Sequence, residues 1–193
     1  LAGLLLAAQR YDAGLPADNR PVFATGGELG VFLLIFGLTA VLRFWNLSDI
    51  PATVHGDSAE CGIQALAILR GRVADVFGFS PWYSTPYPAY LPYTASIALV
   101  GNSVLGLRLP SAVVGTLCFL PLYFLVRGWL GVRAAQIATA LFAVSHAAIH
   151  FSRIGLWNIQ SLFLAIVGFA FLAAALRKCS TRLSSFAGIA AGL

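Results

Sequence analysis

Residues 27–47 read GELGVFLLIFGLTAVLRFWNL. A bilayer core of ~30 Å needs about 20 apolar residues in a helix. This stretch is long enough, and it sets the fold class: an all-α, multi-pass membrane protein. The whole chain agrees. Of its 193 residues 59% are hydrophobic and only 10% charged, against about 25% charged in a soluble domain. The mean hydropathy is +0.85. The net charge of +5 does not point to nucleic acid, because basic residues stand singly or in pairs and form no patch. They are better read as topology signals.

Working outward, further spans are expected at 106–126 (with Pro110 and Pro121), 133–150 and 157–176, and a fifth begins at 183–193. All belong to one transmembrane domain covering 1–193. Residues 1–26 receive no role, and their opening LAGLLLAA is too short to classify. The chain has no Met and ends inside the apolar run SSFAGIAAGL, so it is expected to be a fragment whose remainder is missing. Residues 87–101, YPAYLPYTASIALVG, carry Pro88 and Pro92. An apolar run of ~10–14 residues is more often re-entrant or interfacial than spanning. The stretch is therefore assigned to one long loop, 48–105, with short surface helices.

Charge then orients the chain. One side holds Arg10, Arg20, Arg127, Arg133, Arg177, Lys178 and Arg182; the other holds Arg70, Arg72, Arg108 and Arg153, with Arg43 at the border. The richer side is read as cytoplasmic. The 48–105 loop then faces outward, with the short loop near 151–156. If 87–101 spanned, the first part of that loop would lie inside. Cys61, Cys118 and Cys179 have no metal spacing and are expected as free thiols.

Two of the seven acids fall in VHGDSAECG, residues 54–62. Ile63, Leu66, Ala67 and Arg70 follow helical spacing, and Gly71 stops the run. This predicts a short amphipathic surface helix. Asp57 would be its N-cap and Glu60 would complete a capping box. The pair reads equally as helix caps or as chemistry. Further on, FGFSPWYSTPYPAYLPY packs seven aromatics and four prolines into 17 residues. It reads as an aromatic belt at headgroup level or as a stiff aromatic pocket for a sugar or lipid head. In SHAAIHFSRIGLWN, His146 and His150 share a helix face; the spacing suits a metal, but no third ligand follows and hydrogen-bonded histidines are the simpler reading. Arg153 is either an interfacial anchor or a phosphate grip, with Arg70, Arg72 and Arg108 as competitors. Small-residue faces such as GVRAAQIATALFAVS, and the Gly188/Gly192 pair, read as packing.

The order of these parts carries a resemblance. LRFWNL is followed by IPATVHGDSAECGIQALAILRG, the aromatic stretch, GLRLPSAVVGTL and AVSHAAIHFSRIGLWN. Residues 27–178 thus resemble the N-terminal part of the GT-C membrane glycosyltransferases that use polyprenyl-phosphate sugars, in the protein O-mannosyltransferase and aminoarabinose transferase superfamily. The resemblance implies a first outer loop with surface helices and an essential acid, which falls on Asp57. Many members have Asp-Glu there; this chain has Asp57-Ser58, with Glu60 displaced by two. Many also carry an acid shortly after the FSR element, where this chain has Asn158.

The implied reaction moves a hexose or pentose from a polyprenyl-phosphate donor to a hydroxyl of a protein, lipid or glycan acceptor, with inversion, at the outer face of the plasma membrane. Phosphate leaves without a general acid, so one base suffices, worth ~10²–10⁴ in rate. Asp57 is the expected base. Arg153 and Arg108 are expected on the donor phosphate, and His55, Glu60, Tyr87 and Asn158 around the substrate. The sequence specifies no cofactor and leaves a divalent metal open. The rival readings are a transporter or lipid flippase, which would place ionisable groups mid-span, and a noncatalytic assembly subunit.

Overall fold

The computed structural model describes Phe23 and residues 25–178 and 181–192. The opening LAGLLLAA, Arg10, Arg20 and Cys179 lie outside the described residues. The helices, in chain order, are α1 (Gly26–Phe44), α2 (Gly56–Leu69), α3 (Leu91–Val100), α4 (Val104–Leu117), α5 (Phe119–Leu130), α6 (Val132–Val144), α7 (His146–Arg153), α8 (Asn158–Lys178) and α9 (Thr181–Gly192), with a 3₁₀ turn at Tyr87–Tyr90. No strand occurs among the described residues, so the fold is all-α as expected.

Three helical stretches are long and apolar enough to cross a membrane: Gly26–Phe44, Val104–Leu130 and Asn158–Leu176; α6 and α7 make a fourth if they form one span, bent by 55°. Helix α1, at 1.5 Å per residue, is about 28 Å long. Thr25 caps it by accepting from the Glu28 N–H at 3.1 Å. Its outer face is apolar and bare, with Leu34 73% exposed, as a lipid-facing surface requires. The joint between α4 and α5 at Cys118 has a local cause. Pro121 has no N–H to offer the Leu117 carbonyl, so the ladder breaks there. The bend between α6 and α7 has another. Ser145 leaves the helical path and its Oγ accepts from the Ala148 N–H, starting a new helix.

Helix α3 has ten residues. At about 15 Å it covers half a bilayer core. It packs under α2 instead, around Cys61, Ala65, Tyr90, Tyr93, Ile97 and Leu107. A second core, built on Phe32, Ile35, Phe119 and Tyr123, joins α1 to α5 and α6. Gly115 on α4 lets α7 approach closely: a Cβ there would lie 2.7 Å from the Ser152 Cβ. The chain therefore has two ends. One carries Thr25, Leu130 and Val132; the other carries α2, α3 and the α7–α8 junction.

Candidate active site

The last four carbonyls of any helix lack intrahelical partners, and a helix ending in an apolar setting must find donors for them. Past the end of α1 those donors come from two arginines far along the chain. Arg153, the last residue of α7, donates from Nη1 to the carbonyls of Leu42 (2.9 Å) and Arg43 (3.1 Å). Its Nη2 donates to Trp45 (2.6 Å), Asn46 (3.3 Å) and Ile50 (3.0 Å). Arg108, on α4, donates to the carbonyls of Leu47 (3.0 Å), Ser48 (3.2 Å), Pro51 (2.8 Å) and Thr53 (3.1 Å). Between them nine carbonyls from 42 to 53 are held by two guanidinium groups. A planar fork with several fixed donors suits this better than an ammonium would.

Arg43 does the same for the bend. It is fully buried and donates at 3.4 Å to Ala143 O, which the break at Ser145 leaves without a backbone donor, and at 3.4 Å to Phe142 O, which also accepts the Ser145 N–H. It also donates to Ser152 Oγ at 3.2 Å and lies 4.8 Å from the Phe142 ring centroid. No carboxylate pairs with Arg43, Arg108 or Arg153 among the described residues.

The clamped segment leads directly into α2. Here the structure corrects the expected capping box. The N-cap is His55, not Asp57: its Nδ1 accepts from the Asp57 N–H at 3.3 Å. Glu60 does not reach back to the helix start. Its Oε1 accepts from Gln64 Nε2, one turn on, at 2.6 Å. The helix begins earlier than the D-x-x-E pattern suggests because an imidazole nitrogen can replace a carboxylate as acceptor. The Asp57 carboxylate is thereby released from capping. It lies in the first turn, where the helix dipole favours negative charge, with its side chain 46% exposed and Oδ2 3.6 Å from His55 Nδ1. Among the described residues no lysine or arginine is within ion-pair distance of it. Ser58, next to it, is buried.

The other expected site residues are dispersed. Arg153 and Arg108 are 6% and 2% exposed, and Arg153 ends a helix rather than sitting in a loop. Tyr87 packs against the core under α2. Asn158 is exposed at the start of α8. His146 and His150 stack with ring centroids 6.0 Å apart and rim an open groove of about 520 Å³ with Val41, Trp45, Ile50 and Arg153. Among the described residues no group of three or more His, Cys, Asp or Glu side chains could hold a metal. Cys61 and Cys118 are free and buried. Burial, helped by the charge of Glu60, pushes the Cys61 thiol up to about 12. Burial likewise raises the Tyr93 phenol, which bonds Ser111 Oγ at 2.9 Å.

Residues 84–193, more than half of the chain, match the dolichyl-phosphate-mannose-protein mannosyltransferase family. The chain belongs to that family. It is a membrane glycosyltransferase of the type that uses a lipid-linked sugar. No curated protein and no solved structure matches it. The match begins after α2, so Asp57 stands outside it, while Arg108 and Arg153 stand within.

Proposed function

We propose that this mannosyltransferase-type chain transfers a sugar from a polyprenyl-phosphate donor to an acceptor hydroxyl at the outer face of the plasma membrane, with Asp57 as general base. One observation carries the reading: a half-exposed carboxylate, released from capping and, among the described residues, unpaired with any arginine or lysine, just beyond a backbone segment held by nine charge-assisted hydrogen bonds. Asp57 takes the proton as the acceptor oxygen bonds to the anomeric carbon. The carbon–oxygen bond to phosphate breaks, and its electron pair stays on the phosphate. Attack opposite the leaving group inverts the centre. Arg108 and Arg153 serve here as positioning residues for the Asp57 segment. Their carbonyl partners do not cancel their charge, so this end of the bundle also favours an anionic leaving group. Buried arginines gathered at helix ends, rather than acids mid-span, favour transfer over transport.

The test is Asp57→Asn in the full-length enzyme with its lipid-linked donor. Asp57 is not the cap, so the change costs at most the dipole contribution of about 0.3–1 kcal/mol. Folding should persist while turnover falls by at least ~10². Near wild-type turnover would overturn the assignment.

A further inference from the structure

The aromatic stretch does not behave as one unit. Tyr90 and Tyr93 are fully buried, whereas Phe77, Phe79 and Tyr83 are 85%, 67% and 80% exposed. The exposed three stand on a small hairpin. Phe79 and Pro86 form an antiparallel bridge. The Ser80 N–H donates to Thr85 O at 2.8 Å, Thr85 N–H to Trp82 O at 3.1 Å, and Tyr87 N–H to Gly78 O at 3.0 Å. Its two tip residues, Tyr83 and Ser84, both have φ +49°. Two successive left-handed residues are what a tight hairpin turn needs, and Gly, Asn or Asp normally supply them. A tyrosine and a serine hold this sparsely populated conformation because the turn is braced from below. Ser80 is buried; its Oγ bonds Trp82 O at 3.1 Å and Tyr90 Oη at 3.2 Å.

A braced turn that displays three large aromatics calls for a partner, and the surroundings indicate which. Two of the three are phenylalanines, with no group to hydrogen-bond a sugar. Arg70 and Arg72 are exposed just before the hairpin, matching anionic phosphate. The nearby acid, Asp75, is turned to the backbone, its Oδ1 accepting from the Phe77 N–H at 2.8 Å. The hairpin also has a fixed height. It continues into the 3₁₀ turn, which docks on the start of the span α8: Tyr90 meets Trp157 with ring centroids 5.6 Å apart, and Gln160 Nε2 donates to Ala89 O at 3.3 Å. The end of an apolar span is the level of the headgroups, where aromatic side chains concentrate.

We propose that residues 77–86 form a rigid foot that seats Phe77, Phe79 and Tyr83 in the headgroup layer of the bilayer, with Arg70 and Arg72 facing lipid phosphates. The foot would set the height of α2 above the membrane. This stands independently of the role given to Asp57.

Nitroxide labels on single cysteines test it, in the full-length protein with Cys179→Ser, reconstituted into vesicles of phosphatidylcholine and phosphatidylglycerol. Labels at 77, 79 and 83 should collide readily with lipid-soluble oxygen and poorly with a water-soluble nickel chelate. Their ratio should approach that of a label at the lipid-facing Leu34, and exceed that at Ala59 on α2. Omitting phosphatidylglycerol, or making Arg70→Gln with Arg72→Gln, should shift the ratio toward water. Free access of the nickel chelate at 77 and 79 overturns the proposal. So does protection from both reagents, which would mean that protein or a bound sugar covers the hairpin.

Discussion

The two ends of the bundle use buried arginine in opposite ways. At the end away from α2, Arg127 meets a carboxylate: its Nε and Nη2 donate to Glu28, whose Oε1 also accepts from Tyr123 Oη at 2.9 Å. Glu28 is 4% exposed. The charge is neutralised, and the contact ties α1 to α5. At the α2 end Arg43, Arg108 and Arg153 donate, among the described residues, only to backbone and hydroxyl oxygen. There the positive charge survives, the loop is fixed, and among the described residues no arginine or lysine pairs with the acids of α2. A buried ion pair ties two helices together; buried cations on carbonyls fix a loop and keep their charge.

The largest way to break this contrast is to remove a clamp. A hydrogen bond to a charged group is worth about 1.5–3 kcal/mol, and Arg153 makes five. These do not add, but Arg153→Met should cost at least ~3 kcal/mol and abolish transfer. Arg153→Lys is the informative variant. It keeps the charge and loses the fork, so kcat should fall more than KM rises, because Asp57 loses its fixed place. A rise in donor KM alone would instead assign Arg153 to the donor phosphate. Thermal unfolding in detergent and steady-state kinetics separate the outcomes.

Glu28→Gln comes next. It leaves Arg127 buried without its anion, and breaking such a pair costs up to ~3–5 kcal/mol. A Gln still accepts hydrogen bonds, so the loss should fall below that range. The melting temperature should drop while turnover of the folded fraction stays near normal. A folded Glu28→Gln protein without turnover would show that the two ends are not separable.

Much of this was legible in the sequence, because hydropathy is a local property. The apolar span ending in LRFWNL and the proline-marked 87–101 stretch declare themselves within a few residues. The arginine roles do not. Arg108 and Arg153 bond carbonyls 55 to 111 positions away, and every residue has a carbonyl, so no motif marks the partners. The one available signal was an arginine at a span end with no acid in reach. The bend at Ser145 escaped for the same reason, since the carbonyls of Phe142 and Ala143 are met by Arg43 about 100 positions away. Asp57 stood out as an acid in a loop, but the D-x-x-E pattern hid the fact that His55 does the capping.

The buried core under α2 gives a smaller prediction. Cys61 is fully buried, with its thiol held protonated up to about 12. A raised pKa here means that the neutral form persists through the neutral range and is lost only as pH approaches that value. Alkylation requires the thiolate, so at about pH 8, near the usual thiol pKa of ~8.5, Cys61 should stay unmodified in the native protein. Mass spectrometry after iodoacetamide, with and without denaturant, reads this directly. Topology needs exposed reporters instead. Cysteines at Ala59 and Arg133 should react with an impermeant reagent from opposite faces, Ala59 from outside. Labelling of both from one face would refute the orientation.

The smallest effect belongs to Glu60, and it sharpens the contrast within α2 itself. Glu60 and Asp57 are both carboxylates in one helix, yet Glu60 has a partner one turn on, Gln64 at 2.6 Å, whereas Asp57, among the described residues, has only His55 at 3.6 Å. An i, i+4 pair of this kind stabilises a helix by about 0.2–0.5 kcal/mol. Glu60→Gln keeps an acceptor for Gln64 and removes only the charge. Stability should change by less than ~0.5 kcal/mol, and turnover by no more than about threefold, since tenfold corresponds to 1.36 kcal/mol. Losing the Glu60 charge also removes one of the two influences that raise the Cys61 thiol. Burial, the larger one, remains, so Cys61 should stay inert in this variant. If Glu60→Gln instead falls as far as Asp57→Asn, the two acids act together on substrate, and the division between a paired and a free carboxylate does not describe the chemistry.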